Sequence, residues 1–357
     1  MKRRRIWLLP LILVLLIVAA AATLWVLAER RMMRAFDAWA AAEQQQGWTV
    51  RHGAIRPAGG PLAVAIDVAG LSITGGQADL PGGLDWRAQR VTVLIDIRHP
   101  HLLHIRPAGR QVLRLGTAPA VPFTAAHMDA RIPLAQGQPA GPVMLRSDAL
   151  AIGPVPGTPL QGPIRVAHAT LAGQGDAAAT SGQPALTFTL AASDILLPPG
   201  RKWPLGPRVA RLDMAGTLTG PVPPGTVPAV RAAAWRDGGG KLVLRQIGLA
   251  WSELHVQASA TLGLDATLQP TGAATARITG QSAALDTAAA NGALTHQAAT
   301  AAKAVLALMA QAPAKGGTPA LEVPLRLQDR TLEMGQFPLL RLPALVWPAP
   351  DAGANAP

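Results

Sequence analysis

The sequence has no cysteine and no tyrosine in 357 residues, and it has only four phenylalanines. Without cysteine, a disulfide framework, thiolate metal sites and thiol nucleophiles are all excluded. This absence agrees with an oxidising compartment, where unpaired thiols are a liability. With so few large aromatic rings, the core must be mainly aliphatic.

Charged residues are absent from one long stretch, Ile6 to Leu27, in which only Pro10 and Thr23 interrupt the apolar residues. A helix over these 22 residues would be about 33 Å long, which is enough to span a bilayer. Four basic residues precede the stretch, from Lys2 to Arg5. We therefore predict an inner-membrane anchor with a cytoplasmic N-terminus and a periplasmic body.

A cleaved signal peptide is the competing interpretation of this stretch. Small residues at cleavage-like spacing occur in Val26-Leu27-Ala28. The apolar stretch is longer than the roughly 7–15 residues of a typical signal core. We therefore expect an uncleaved anchor.

The net charge of +12 is half explained by the flanks of this stretch. Residues 1–34 contain seven basic residues and one acidic residue, which gives +6 and leaves +6 for the other 323 residues. The remaining basic residues are spread thinly along the chain, and there are few rings on which bases could stack. We expect no nucleic-acid partner.

Changes in composition and periodicity divide the chain into five parts. We predict a cytoplasmic stub and anchor (1–28), a membrane-proximal helix (29–47), two β-rich regions (48–219 and 226–348) and a disordered tail (349–357). The boundary between the β-rich regions is the segment Gly220 to Gly225, whose prolines and glycines exclude a helix. The same segment could be a long loop within one sheet.

Apolar residues at every second position predict strands with one buried face. The clearest runs are Leu62 to Val68 and Val91 to Ile97. Further strands are predicted at 112–115, 128–134, 143–145, 164–171, 186–192, 209–218, 242–251, 254–262, 275–279 and 321–334. A change of phase between Leu244 and Ile247 predicts a bulge. The fold class is therefore mainly β with a few helices (α+β), built from long twisted antiparallel sheets with a groove or an open barrel-like body.

Three features refine this prediction near the end of the chain. Helical spacing predicts helices at 229–236, at 282–290 and at 293–311. Asp329-Arg330 is the turn of a closing hairpin, although Asp-Gly would be the more typical turn sequence. Pro324 places its strand near a sheet edge.

A search for catalytic and metal-binding motifs gives no site. His99, His101 and His104 form the one cluster of ligand-like residues, but no carboxylate accompanies them and Pro100 disturbs regular pairing. The four carboxylates considered as acid–base pairs give no reason to choose among them; they are Asp67, Asp96, Asp194 and Asp213. We predict no catalytic, cofactor-binding or metal-binding residues, and we expect a protein that is not an enzyme.

Tryptophan is the main large aromatic residue and allows two interpretations. Six tryptophans beyond the predicted anchor bear on this choice, namely Trp39, Trp48, Trp86, Trp203, Trp235 and Trp251. They could line a ligand groove, but core packing is the preferred interpretation because other large residues are scarce.

Several short motifs together resemble a bacterial envelope family known as domain of unknown function twenty-one twenty-five. They are an N-terminal anchor, Trp48 with Gly60-Pro61-Leu62, Leu196-Leu197-Pro198 with Leu205-Gly206-Pro207, the strands around Trp251, and Leu332-Glu333-Met334-Gly335 with Pro338-Leu339 and Leu342-Pro343. This resemblance covers nearly the whole chain. It implies no known activity and no catalytic residues.

The meander and the closing hairpin are also similar, more distantly, to AsmA-like proteins. That similarity implies an anchored periplasmic protein that acts in lipid or outer-membrane homeostasis and whose sheets have an apolar concave face. The leading hypothesis is a membrane-anchored protein that binds a lipid or an envelope protein in an apolar groove. The alternatives are a structural or interaction module without a groove, and an envelope hydrolase.

Overall fold

The computed structural model describes residues 8–60, 62–76, 83–116, 118–136, 138–154, 162–176, 178–223, 227–309, 320–335 and 337–347. The helices are α1 (Leu8–Gln45), α2 (Pro228–Asp237), α3 (Gln281–Ala290) and α4 (His296–Met309). The first nine strands are β1 (Thr49–Arg51), β2 (Ile55–Pro57), β3 (Ala63–Gly75), β4 (Leu84–Asp96), β5 (Leu102–Leu115), β6 (Val121–Thr124), β7 (His127–Ala135), β8 (Gln138–Pro139) and β9 (Val143–Ile152). The others are β10 (Ile164–Gly175), β11 (Pro184–Leu196), β12 (Arg208–Thr219), β13 (Leu242–Trp251), β14 (Leu254–Leu264), β15 (Pro270–Thr279), β16 (Leu321–Gln328), β17 (Thr331–Met334) and β18 (Phe337–Arg341).

The strands form one long antiparallel meander. From β9 to β18 each strand pairs with the next one along the chain, and β3, β4 and β5 do the same. The short β6 and the longer β7 both connect β5 to β9, while β1 and β2 both pair with β3. The predicted fold class is confirmed: the protein is mainly β, with long antiparallel strands and a few helices. Strands β12 and β13 also pair directly with each other, although Gly220 to Gly225 lies between them in the chain.

Most strands are longer than the sequence pattern predicts. The strand predicted at 112–115 is β5, which begins at Leu102, and the strand predicted at 143–145 is β9, which continues to Ile152. The alternation of apolar and polar residues is interrupted where a strand contains a residue with a left-handed φ. Ala149 and Asp194 both have a φ of 50°. Next to such a residue, apolar positions on one face are three residues apart instead of two, as in Ala192 and Ile195.

The predicted bulge between Leu244 and Ile247 is present in β13, where the register with β14 shifts. The closing hairpin also has a defined turn. Asp329 and Arg330 have φ values of 50° and 64°, which is the pattern of a type I′ turn. The right-handed twist of the strands favours this turn even without glycine. Pro324 lies just outside the segment of β16 that pairs with β17, which begins at Leu325.

Helix α1 packs with its C-terminal half against the start of the sheet. Its Met32, Met33, Phe36 and Ala40 contact a core cluster that includes Ile66 in β3. The Glu29 carboxylate is buried and accepts a hydrogen bond from the backbone N–H of Gly59 over 3.3 Å. These contacts fix the direction in which the helix leaves the sheet.

The predicted membrane-proximal helix is the second half of α1, which ends at Gln45. In the part of the chain that the structure describes, no helix has the combined length and hydropathy needed to cross a bilayer. The predicted anchor starts at Ile6 and Trp7, which lie outside the described residues, so the anchor stays a prediction.

The predicted helices of the second half are present. Those at 229–236 and 282–290 correspond to α2 and α3 within one residue at each end. The helix predicted at 293–311 is α4, which begins at His296 rather than at residue 293. The tail predicted at 349–357 lies outside the described residues.

Candidate apolar binding face

An unbroken row of apolar residues crosses twelve strands of the sheet. Each member is the register partner of the next. We call this set the apolar row; its members, from β3 to β16, are Ile66, Val93, Ile105, Ala130, Leu145, Leu171, Leu190, Met214, Ile247, Ala258, Ala276 and Val323. Since neighbouring strands lie about 4.8 Å apart, the row is about 50 Å long.

All members of the row lie on the same face of the sheet. Register partners in antiparallel strands point to the same side, as do residues two apart in one strand. Leu190, Met214 and Ile247 each lie two residues from a member of a second core cluster, formed by residues of β9 to β13. The row therefore continues the apolar surface that begins beneath α1.

The row is covered at its ends and open in its middle. Ile66, beneath α1, is fully buried, and Val323 in β16 is 5% exposed. Leu171 in β10 is 42% exposed, whereas Leu145, Leu190, Met214 and Ile247 are half-buried. Five neighbouring strands thus present large aliphatic side chains that the described residues cover only in part, which is unusual unless such a surface contacts a partner or a ligand.

The opposite face of the same strands is polar. The chain neighbours of the twelve apolar-row residues form eleven adjacent pairs. Ten of these pairs are register partners, and in the eleventh Arg106 donates a hydrogen bond to Asp129. These neighbours are Asp67, Thr92, Arg106, Asp129, Arg146, Thr170, Ala191, Asp213, Gly248, Gln257, Arg277 and Glu322. The sheet is therefore amphipathic along its length, and only one face is suited to an apolar ligand.

Asp129 is the centre of the best-connected ion-pair group on the polar face. Its carboxylate accepts hydrogen bonds from Arg131 over 2.8 Å and from Arg106 over 3.1 Å, and the Nδ1 of His104 lies 2.9 Å away. Burial raises the pKa of Asp129, but the hydrogen bonds from Arg131, His104 and Arg106 outweigh burial and hold its pKa below the usual value. This group ties β5 to β7.

A cavity of about 580 Å³ lies where β10 and β11 meet the loop at 197–207. Its walls are Leu196, Leu197, Pro198, Pro199, Gly206 and Pro207, together with Arg165, Arg201, Lys202, Trp203 and Asn291. Among these lining residues there is no carboxylate. Leu197 also packs against the second core cluster, so the cavity adjoins the apolar face.

The histidines of the predicted cluster separate in the structure. The rings of His99 and His101 are 6.5 Å apart, while His104 is buried and pairs with Asp129. Among the described residues, no group of three or more histidines and carboxylates has a geometry that could hold a metal ion.

The four carboxylates considered for acid–base chemistry have local roles. Asp67 accepts a hydrogen bond from Thr92, Asp96 from the backbone of Arg98, and Asp213 from Arg211. Asp194 has the left-handed φ described above. Within the described part of the chain, none of these contacts joins two of the four.

The tryptophans divide between the two interpretations given above. Trp86 and Trp251 pack against the two core clusters, as the core interpretation predicts. Trp203 instead lines the cavity, and Trp39 is 40% exposed. Sequence reasoning did not identify the cavity, because Arg165 joins Arg201 and Trp203 only through the pairing of β10 with β11. The Leu-Leu-Pro and Leu-Gly-Pro motifs on both sides of the loop were the available signal.

Fold and site together define a protein whose long amphipathic antiparallel sheet carries a docked N-terminal helix. A family model described as "Uncharacterized protein conserved in bacteria (DUF2125)" matches residues 25–343, and the chain belongs to this family. No match was found among curated proteins or among solved structures. The more distant similarity to AsmA-like proteins stays a prediction.

Proposed function

We propose that the protein is anchored in the inner membrane by its N-terminal helix, with the body in the periplasm, and that the apolar row binds lipid acyl chains. The observation that carries this proposal is the open middle of the row, where Leu171 is 42% exposed among large aliphatic neighbours. Acyl chains suit such a surface because they are long, unbranched and without polar groups that would need partners.

Three features support the proposal. The uncharged stretch Ile6 to Leu27 is long enough to span a bilayer and is followed closely by the docked part of α1. The apolar row starts beneath that docked helix, so the row would begin near the membrane. The open middle of the row crosses five neighbouring strands, or about 20 Å, and could contact much of one extended acyl chain.

A non-enzymatic role is part of the proposal. The apolar row carries no group that could act as a nucleophile or as an acid or base. An envelope hydrolase, the second alternative from the sequence, would need such groups to converge in one pocket. A structural module, the first alternative, would have the open middle of the row covered by another protein instead of lipid.

The test is lipid binding by the full-length protein extracted from membranes, with a matched pair of variants. Leu171→Glu places a charge on the apolar row, whereas Thr170→Glu places the same charge on the polar face one residue away. A leucine side chain contributes about 1.5–3 kcal/mol when it leaves water, so Leu171→Glu should lower the bound lipid about tenfold or more. Thr170→Glu should retain it. Wild-type protein without bound lipid, measured by mass spectrometry, would contradict the proposal.

A further inference from the structure

The cavity at the loop 197–207 combines three cationic side chains with an apolar wall. Arg165, Arg201 and Lys202 all line it, and in the described residues none of the three makes an ion pair with a carboxylate. Elsewhere on the sheet, arginines such as Arg106 and Arg211 pair with aspartates. The cavity therefore keeps positive charge that an anionic ligand could neutralise.

The loop that forms the cavity is held in place by hydrogen bonds from three side chains. Trp203 donates from Nε1 to the carbonyl oxygen of Pro198 over 3.0 Å, and Trp251 donates to that of Gly206 over 2.9 Å. The Asn291 amide, at the end of α3, donates to the carbonyl oxygen of Pro204 over 2.9 Å. A ligand would meet a formed site and would not have to order the loop.

Arg201 is held close to the ring of Trp203. Its guanidinium carbon lies 5.3 Å from the ring centroid, within the range of a cation–π contact. This contact positions the guanidinium without neutralising its charge, because the ring supplies no counter-ion. The guanidinium N–H groups remain suited to the oxygen atoms of a phosphate.

The cavity also adjoins the apolar face. Leu197 lines the cavity and packs against the second core cluster, and that cluster continues into the middle of the apolar row through Leu212 and Leu249. A ligand with an anionic head and an apolar tail could place the head in the cavity and the tail along the row. A cavity of about 580 Å³ is large enough for a phosphorylated headgroup.

We infer that this cavity binds the phosphate-bearing headgroup of an anionic lipid. The inference rests on the proposed function, because the acyl chains are assigned to the apolar row. A free phosphate ester has the same anionic chemistry and is the other source of such a ligand. Arg201 and Lys202 would contact the phosphate, and Arg165 would contribute from the neighbouring strand.

The test compares two lipids with identical acyl chains, phosphatidylglycerol and phosphatidylcholine, bound to the full-length protein in detergent. The wild-type protein should prefer phosphatidylglycerol. Loss of charge-assisted hydrogen bonds in Arg201→Gln/Lys202→Gln should reduce that preference about tenfold. Phosphatidylcholine also has a phosphate, but its headgroup has no net charge, so its binding should fall less. The control Arg326→Gln/Lys241→Gln removes one arginine and one lysine charge outside the cavity, in β16 and just before β13, and should keep the preference.

Other outcomes separate this inference from the proposed function. Lipid binding without a preference for phosphatidylglycerol, or a preference that survives in Arg201→Gln/Lys202→Gln, overturns the headgroup site but leaves the apolar row. Inorganic phosphate that binds the wild type and not this variant, with no uptake of either lipid, supports an anion site but overturns the lipid headgroup as its source. Binding of none of the three probes overturns both proposals.

Discussion

Trp251 in β13 donates a hydrogen bond from Nε1 to the carbonyl oxygen of Gly206, over 2.9 Å. This bond connects the second core cluster, in which the Trp251 ring packs, with the loop that forms the basic cavity. The apolar face and the cavity are therefore structurally coupled, and a substitution that disturbs the packing of one should change ligand binding at the other.

Trp251→Phe keeps an aromatic ring in the cluster but removes the donor to Gly206. The unsatisfied carbonyl should cost about 1–3 kcal/mol in the free energy of unfolding, and the loop should lose its position, so binding of an anionic lipid should weaken. Trp347→Phe removes a similar bond, from Nε1 to the carbonyl oxygen of Leu268, far along the chain. Denaturant unfolding should show a lower free energy of unfolding in both variants, whereas lipid binding should fall only in Trp251→Phe. Equal lipid binding in the two variants would refute the coupling.

The two ends and the middle of the apolar row should respond differently to truncation. Ile66→Ala removes a fully buried side chain beneath α1 and should cost about 2–5 kcal/mol. Leu171→Ala removes a side chain that is 42% exposed, and in lipid-free protein it should cost less than about 1 kcal/mol. Denaturant unfolding of the lipid-free variants measures both values. A large loss for Leu171→Ala would mean that protein packing covers the middle of the row.

Gly280 joins β15 to α3 and should not tolerate a side chain. It has a φ of 75°, and an added Cβ would lie 1.8 Å from the carbonyl oxygen of Glu253. Gly47 has a φ of 85° but nothing within 4 Å of an added Cβ. Gly47→Ala should cost about 1–2 kcal/mol for the left-handed backbone alone, and Gly280→Ala should cost clearly more because backbone atoms must move. Similar melting temperatures for the two variants would contradict this geometry.

The ion pairs of Asp129 should make the stability of the protein depend on pH. The pKa of Asp129 is lowered in the folded state, so its contribution is fully present above the ordinary value of 3.8 and is lost as the pH falls through the folded pKa. Asp129→Asn should cost about 1–3 kcal/mol at neutral pH, and the difference from the wild type should shrink in acid. Denaturant unfolding curves of both proteins, recorded between neutral and acidic pH, measure this difference in the free energy of unfolding.

The matched control for Asp129 is Asp286→Asn, which removes an exposed ion pair with Lys303 on α4. Exposed ion pairs contribute little because water screens them, so this variant should stay close to the wild type. A difference for Asp129→Asn that persists unchanged at low pH would show that the carboxylate does not act through its charge.

The sequence was sufficient to predict the kind of fold but not the apolar row. Alternation in Val91 to Ile97 gives a strand with one apolar face, and the phase change at Leu244 gives the bulge in β13. Alternation alone cannot say which strand lies beside which, or in what register. The row depends on pairs such as Leu145 with Leu171, 26 residues apart, which only the folded sheet defines.

The lengths of the strands and the cavity were missed for local reasons. In β9 the polar Ser147 ends the apolar alternation after Leu145, and the left-handed φ of Ala149 then shifts its phase, although the strand continues to Ile152. Alanine gives no signal of such a conformation, unlike glycine or asparagine. In the loop at 197–207, the proline-rich sequence predicts only a break. The positions of Arg201 and Trp203 depend on a hydrogen bond within the loop and on one from the side chain of Trp251, which is distant in the sequence.

The most direct test of the account is photocrosslinking from the apolar row in intact membranes. A photoreactive amino acid at Leu171, in the full-length protein, should form adducts with phospholipid, and the same amino acid at Thr170 on the opposite face should not. Mass spectrometry of the isolated protein identifies the adducts. Protein adducts instead of lipid at Leu171, or equal lipid adducts at the two positions, would contradict the central claim that the apolar row binds acyl chains.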